Sequence, residues 1–427
     1  MAELIVRQHC YVKVHRFREE VTVYNAQRDR KARRSRFFSL AVCAALVAGA
    51  SIACSSGSST ASPGSIDTGS SSAGSSSPDR PLEPALTAKL DALLAGAVDG
   101  AGIPGAIVGL WSSEGSYVRA TGVADTSTSE PMESDIYHRI GSVTKTFTVT
   151  ALLQLVDESK VGLDDPISRY IGGVAEGDNI TLRHLAGMQS GLVDYTENEQ
   201  FVTDFLVDPR APLSPEQLLS YIDGMPLKFR PGTEVSYSNT NTVLLGLVVE
   251  KVTGKPLREV IKSKVTDPLG MSHTVLPISN EFPSPHAQGY TDQTTDGSVV
   301  TATDWNPSWG WAAGAMTSNL ADMRIWVPAV AKGTLLKPET QRERLRTVSL
   351  EAGEDGSGYG LGIFNINGWI GHNGSLPGYK TVAVYLPEKD MTLVVMVNSD
   401  VSGENTNLVG SLLTPITQLI SPGNVYE

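Results

Sequence analysis

The chain has 427 residues, with 34 Lys and Arg against 46 Asp and Glu, a net charge of −12. A content of 41% hydrophobic and 19% charged residues excludes a wholly disordered chain, a collagen and a multi-span membrane protein. Residues 1–36 carry ten positive and four negative side chains, which leaves 24 positive and 42 negative for the rest. So acidic a body repels phosphates, and a nucleic-acid partner is not expected. The length fits two or three domains or one composite enzyme fold.

The basic head has its own logic. Arg30, Lys31, Arg33, Arg34 and Arg36 precede an apolar run from Phe37 to Ala53, the layout of an export signal. An uncleaved anchor helix is the other reading of this run. Of the three cysteines, Cys10 precedes the run and Cys43 lies within it. Cys54 directly follows Ser51-Ile52-Ala53, a tetrapeptide that resembles a bacterial lipobox, with Ser where Leu is usual. Lipidation at Cys54 would make it the new N-terminus. Ala48-Gly49-Ala50 offers a rival cut that would secrete the protein. Either cut leaves at most Cys54, so no intrachain disulfide is expected. The expectation is an exported protein on the outer face of the cell membrane, with a secreted form as the alternative. Residues 54–81 form the lipidated cysteine and its linker. Nineteen of residues 55–81 are Ser, Gly or Pro, a composition too poor in apolar surface to offset its ordering entropy.

The globular body is expected over 82–420, with 421–427 as a tail. Leu82, Leu86, Leu90, Leu93 and Leu94 predict a helix over 82–98. Pro104–Ser112 and Tyr117–Val123 read as paired strands, and Thr144–Glu158 as a helix. Residues 160–330 read as helices and loops, with helices at 181–187, 215–223, 240–253 and 256–265. Strands are predicted at Gly360–Asn365, Trp369–His372, Tyr379–Leu386 and Thr392–Asn398, and a helix at 406–420. Strands at both ends with helices between predict an α/β (α+β) fold: one sheet built from both termini, with a helical domain inserted.

Three motifs carry chemistry. Ser142-Val143-Thr144-Lys145 opens a helix, and residues three apart share a face, so the amine falls beside the hydroxyl. A serine needs a base to become a nucleophile, and a lysine serves only if its pKa is lowered. Tyr237-Ser238-Asn239 puts a phenol and an amide on one side of an extended segment, for proton relay and for holding the lysine and a substrate group. His372-Asn373-Gly374 ends a predicted strand, where the glycine lets a substrate backbone approach; the N–H of Ser375 is a candidate second oxyanion donor. Each motif alone is common, but each occurs once here, in the order the chemistry needs.

These motifs resemble the penicillin-recognising serine hydrolases, in the branch with class C-type β-lactamases and D-alanyl-D-alanine carboxypeptidases. Arg139-Ile140-Gly141, Ser190-Gly191-Leu192, Pro231-Gly232-Thr233, Pro268-Leu269-Gly270-Met271 and Ala313-Gly314 extend the resemblance over about 84–420. It implies an antiparallel sheet flanked by helices with the cleft beside a helical domain. It also implies an acyl-enzyme on Ser142, proton shuttling by Lys145 and Tyr237, and a polar clamp at Asn239. The third motif departs from the Lys-Thr-Gly of class C lactamases, which points away from lactamase activity. Asn373, Ser375 and, further off, Lys380 are then the expected partners of a substrate carboxylate. No G-x-S-x-G elbow occurs, which disfavours an α/β-hydrolase.

Trp305, Trp309 and Trp311 either pack under a loop or line the cleft, and Trp309 is taken as a substrate contact. The histidines have no metal-ligand spacing, and Gly358-Tyr359-Gly360-Leu361-Gly362 leads into a strand. No metal and no cofactor are expected. The expected activity is D-alanyl-D-alanine carboxypeptidation of peptidoglycan stem peptides. The alternatives are a β-lactamase or short-chain esterase, or a non-catalytic β-lactam or muropeptide sensor.

Overall fold

The computed structural model describes residues 80–350, 356–401 and 408–426. The expected signal, Cys54 and most of the linker lie outside them. In chain order the body runs α1 (Pro84–Ala101), β1 (Gly105–Ser112), β2 (Gly115–Asp125), β3 (Glu130–Pro131), β4 (His138–Arg139), α2 (Thr144–Asp157), α3 (Leu182–Ala186), α4 (Glu199–Val207), α5 (Pro215–Ser220), α6 (Asn239–Thr253) and α7 (Leu257–Ile261). There follow β5 (Tyr290–Thr291), β6 (Val300–Thr301), α8 (Trp311–Gly314), β7 (Thr317–Ser318), α9 (Leu320–Lys332), α10 (Pro338–Arg344) and β8 (Val348–Ser349). The chain closes with β9 (Ser357–Tyr359), β10 (Phe364–Ile366), β11 (Trp369–Leu376), β12 (Tyr379–Leu386), β13 (Met391–Val397) and α11 (Leu408–Ile420).

Nine strands form one antiparallel sheet in the order β3-β2-β1-β13-β12-β11-β10-β9-β8. The two termini meet at its centre, where Ala106 pairs with Val397 and Trp111 with Thr392. β1 and β13 are buried along their whole length because helices cover both faces. Leu393, Val395 and Val397 pack with Leu90, Leu94, Leu412 and Ile416 of the terminal helices. Val394 and Met396 face the other way, into the core shared with α2, α6 and α9. The two-residue alternation of side chains thus splits one strand between two cores.

α2 is buried on nearly every side, so its threonines need internal partners. Thr148 Oγ1 donates to the Ala312 carbonyl at 2.7 Å, and Thr146 Oγ1 accepts from Trp326 Nε1 at 2.8 Å. Phe147 stacks on Trp326 with ring centroids 4.0 Å apart. This helix is a rigid post through the middle of the molecule.

Three expectations are corrected. Gly360–Asn365 is not one strand: β9 ends at Tyr359, and Gly360 N donates to Ile363 O in a turn that puts Gly362 at φ +70°. β11 does not stop at His372 but runs to Leu376. Its pairing to β10 ends at Gly371, while pairing to β12 continues to Leu376. Residues 421–426 are not a loose tail: Trp369 Nε1 donates to Asn424 O at 2.6 Å, and Tyr426 is buried.

Candidate active site

Past Gly371 one edge of β11 is free of β10, and over this stretch the turn Gly141–Val143 packs against β11. The approach is backbone to backbone. A Cβ on Gly374 would stand 2.0 Å from Ile140 O and 2.8 Å from Ser142 N; one on Gly141 would stand 2.6 Å from Ser375 N. Gly141 also holds φ +50°, a left-handed conformation that side chains disfavour. Glycine at both positions lets the seam close, and the amides of Ser142 and Ser375 lie along it.

Ser142 leads directly into α2, and Lys145 lies in its first turn. Lys145 is fully buried. Its Nζ lies 2.9 Å from Ser142 Oγ, 2.7 Å from Asn239 Oδ1 and 2.8 Å from Ala313 O. Burial lowers its pKa to about 7, against the opposing pull of Asp194. The partner set then dictates where a lone pair goes. Asn239 Oδ1 and the Ala313 carbonyl can only accept, so they keep the two N–H groups of a neutral amine. Of the three partners, only the Ser142 hydroxyl can donate. The neutral lysine therefore turns its lone pair on the serine proton, the position of a general base.

Asn239 is the first residue of α6, and Ser238 before it is extended (φ −151°, ψ 123°). That break brings Tyr237 and Asn239 to the same site. The Tyr237 ring lies 4.8 Å from Lys145 Nζ and stacks on Phe364, and its hydroxyl is buried. Ser142, Lys145, Tyr237 and Asn239 thus meet as the sequence predicts.

The third motif divides. Asn373 and Ser375 are exposed, as substrate donors require, while Gly374 forms the seam. His372 is corrected as a substrate ligand: it is fully buried. Tyr359 Oη lies 3.2 Å from its Nε2, and its Nδ1 faces its own neighbour's carbonyl, Asn373 O. A carbonyl can only accept, so Nδ1 carries the proton and Nε2 accepts from Tyr359. Burial, then the charge of Lys145, drive its pKa down to about 3. His372 is therefore a neutral support behind Tyr237, 6.1 Å away between ring centroids. Lys380 stands opposite Ser375 on β12.

Trp309 is half-buried, and its ring packs against Phe205 and Phe201 at centroid distances of 5.4 and 6.2 Å. Its carbonyl accepts from Tyr195 Oη at 2.6 Å. Trp305 is buried in this cluster and Trp309 packs on it while staying partly open, and the cluster braces the segment that delivers Ala313 O to Lys145. Among the described residues no group of three His, Cys, Asp or Glu could hold a metal ion. No described helix is long and apolar enough to cross a membrane.

Sequence reasoning missed Asp194 and Tyr359. Asp194 is buried, and its Oδ2 accepts from both Asn239 N and Asn239 Nδ2 at 2.9 Å. The only signal was an acidic residue two positions after Ser190-Gly191-Leu192, and nothing in a linear reading ties it to a residue 45 positions on.

A family model described as Beta-lactamase matches residues 90–410. The chain belongs to this family. Its members are serine hydrolases, and the mixed sheet-and-helix architecture agrees. Among curated relatives, the family member described as a putative penicillin-binding protein PbpX of Bacillus subtilis is 26% identical over 284 residues, 66% of each chain. Protein flp of Staphylococcus aureus is 27% identical over 273 residues, 61% of this chain and 52% of that one. The chain thus spans about half to two thirds of these relatives. A D-stereospecific amidohydrolase from Streptomyces superposes with TM-score 0.70 at 29% identity, covering 77% of this chain and 99% of that one. A D-amino acid amidase from Ochrobactrum anthropi gives 0.70 at 25%, covering 79% and 99%. A penicillin-binding protein homologue from Pyrococcus abyssi gives 0.67 at 26%, covering 78% and 77%.

Proposed function

We propose that this protein hydrolyses amide bonds next to D-configured residues through an acyl-enzyme on Ser142. The preferred substrate is a peptidoglycan stem peptide ending in D-Ala-D-Ala. The observation that carries the mechanism is the set of partners around Lys145, which leaves its lone pair only the Ser142 hydroxyl. Ser142 Oγ attacks the acyl carbon, and its proton passes to Lys145 Nζ. The oxyanion lies against the amides of Ser142 and Ser375. Tyr237 passes a proton to the departing amine, the C–N bond breaks, and the ester on Ser142 remains. Water then attacks that ester, gives its proton to the same basic groups, and frees the acid and the serine.

The choice of a D-configured substrate is supported by the amidohydrolase and amidase that the chain resembles. A second reading, hydrolysis of simple D-amino acid amides, draws on the same likeness and on His372. A buried neutral ring offers no fixed cation to a leaving-group carboxylate. The lack of a fixed cation at this position also disfavours efficient turnover of anionic β-lactams, since a charge-assisted bond is roughly twice as strong as a neutral one. We further propose an anchor at Cys54 that holds the domain at the outer membrane face, close to peptidoglycan.

The test is active-site labelling with a fluorophosphonate, followed by mass spectrometry and a substrate panel. Label on the Ser142 peptide is expected, with a D-Ala-D-Ala peptide or a D-amino acid amide turned over faster than the L-isomer and a cephalosporin. Label elsewhere, or full activity in Ser142→Ala, refutes the mechanism. Acylation without turnover would identify the sensor instead.

A further inference from the structure

We infer that Asp194 is a positioning residue: its carboxylate locks the Asn239 amide so that Oδ1 faces Lys145, and thereby aims the lysine lone pair at Ser142. This rests on the acyl-enzyme reading above and adds to it a residue that never meets the substrate.

An asparagine amide has two nearly isosteric ends, one that only accepts and one that only donates. Lys145 stabilises the right orientation only while it is an ammonium. Once neutral, its lone pair could equally take a hydrogen from the amide nitrogen. The amide would then flip and hold the lone pair away from the serine. Asp194 removes that option. Its Oδ2 accepts from Asn239 Nδ2 at 2.9 Å, and a carboxylate has nothing to donate to a flipped oxygen. Asp194 is itself held: Oδ2 also takes the backbone N–H of Asn239 at 2.9 Å, and Oδ1 that of Thr196 at 3.0 Å. It is fully buried, so no water competes from outside. The chain of direction runs from the Thr196 amide through Asp194, Asn239 and Lys145 to Ser142.

The same carboxylate acts through its charge. It lies one amide group behind the lysine and favours the ammonium form, partly offsetting burial. The other groups about the amine are Ser142, the Ala313 carbonyl, Tyr237 on the segment before α6 and His372 on β11. His372 is neutral above about pH 3. Asp194 is therefore the one carboxylate in this set.

The experiment measures kcat and KM against pH for wild type, Asp194→Ala, the nearly isosteric Asp194→Asn, Asn239→Ala and the Asp194→Asn/Asn239→Ala double variant. Labelling of Ser142 in the wild type is checked first. In Asp194→Asn, kcat should fall about tenfold with KM changed little, and the acid limb of kcat/KM should move to lower pH by roughly one unit as the carboxylate's field is lost. A merely structural residue would not move that limb. On the alkaline plateau, where the carboxylate's field no longer limits the neutral fraction, kcat of the double variant should match Asn239→Ala alone, because the orienting effect passes through Asn239. Asp194→Asn serves where Asp194→Ala does not fold. An unmoved acid limb with Ser142 still labelled, or losses that multiply in the double variant, overturns the inference and leaves the acyl-enzyme reading standing. Absence of label at Ser142 overturns both.

Discussion

The lowered pKa of Lys145 makes a quantitative demand on catalysis. Burial brings it from the 10.5 of a free lysine to about 7. If the neutral amine is the base, the active fraction is about nine tenths at pH 8, about half at pH 7 and about one hundredth at pH 5. The rate of Ser142 acylation should thus fall about tenfold for each pH unit below 7. Neighbouring histidines do not confuse the assignment, since His138 and His372 are pushed down to about 4 and about 3 by burial. The assay is the pseudo-first-order rate of fluorophosphonate labelling from pH 5 to 9, with Lys145→Arg beside it. Guanidinium keeps its proton across this range, so that variant should stay at background at every pH. The same shift has a stability side. Between pH 7 and 10.5 the unfolded chain holds the lysine proton that the folded chain has lost, so this group's contribution to stability rises with pH across that window. A labelling rate that is flat between pH 5 and 8, or wild-type labelling in Lys145→Arg, refutes lysine as the base.

Three further outcomes follow from the geometry. Gly374→Ala places a methyl against Ile140 O and Ser142 N, both backbone, so the seam must open; kcat should drop about a hundredfold, and an unchanged kcat would refute the seam. His372→Lys buries a second ammonium near Lys145; it should lower the thermal unfolding midpoint by several degrees and leave cephalosporin turnover unimproved, whereas efficient turnover would restore the surface-charge view of this motif. Cys54→Ala should release the protein from the membrane fraction; retention would favour an uncleaved helix, and a freely soluble wild type would favour the Ala48-Gly49-Ala50 cut.

The sequence by itself determined a good deal. The spacing Ser142–Lys145 is local, and a helix turn converts it into a contact without help from the rest of the fold. The continuous apolar runs of β12 and β13 identify buried strands whatever they pair with. Tertiary structure alone decided the rest. A periodic pattern cannot reveal that β11 outruns β10, or that the serine turn packs against it there, because both depend on where separate segments stop. It could not tell a histidine presented to substrate from one sealed behind Tyr237, since burial belongs to the assembled sheet. Nor could it find Asp194, whose meaning comes from the amide of Asn239. Directional hydrogen bonds between distant segments leave no periodic trace in a chain, and the links from Asp194 through Asn239 to Lys145 are of that kind.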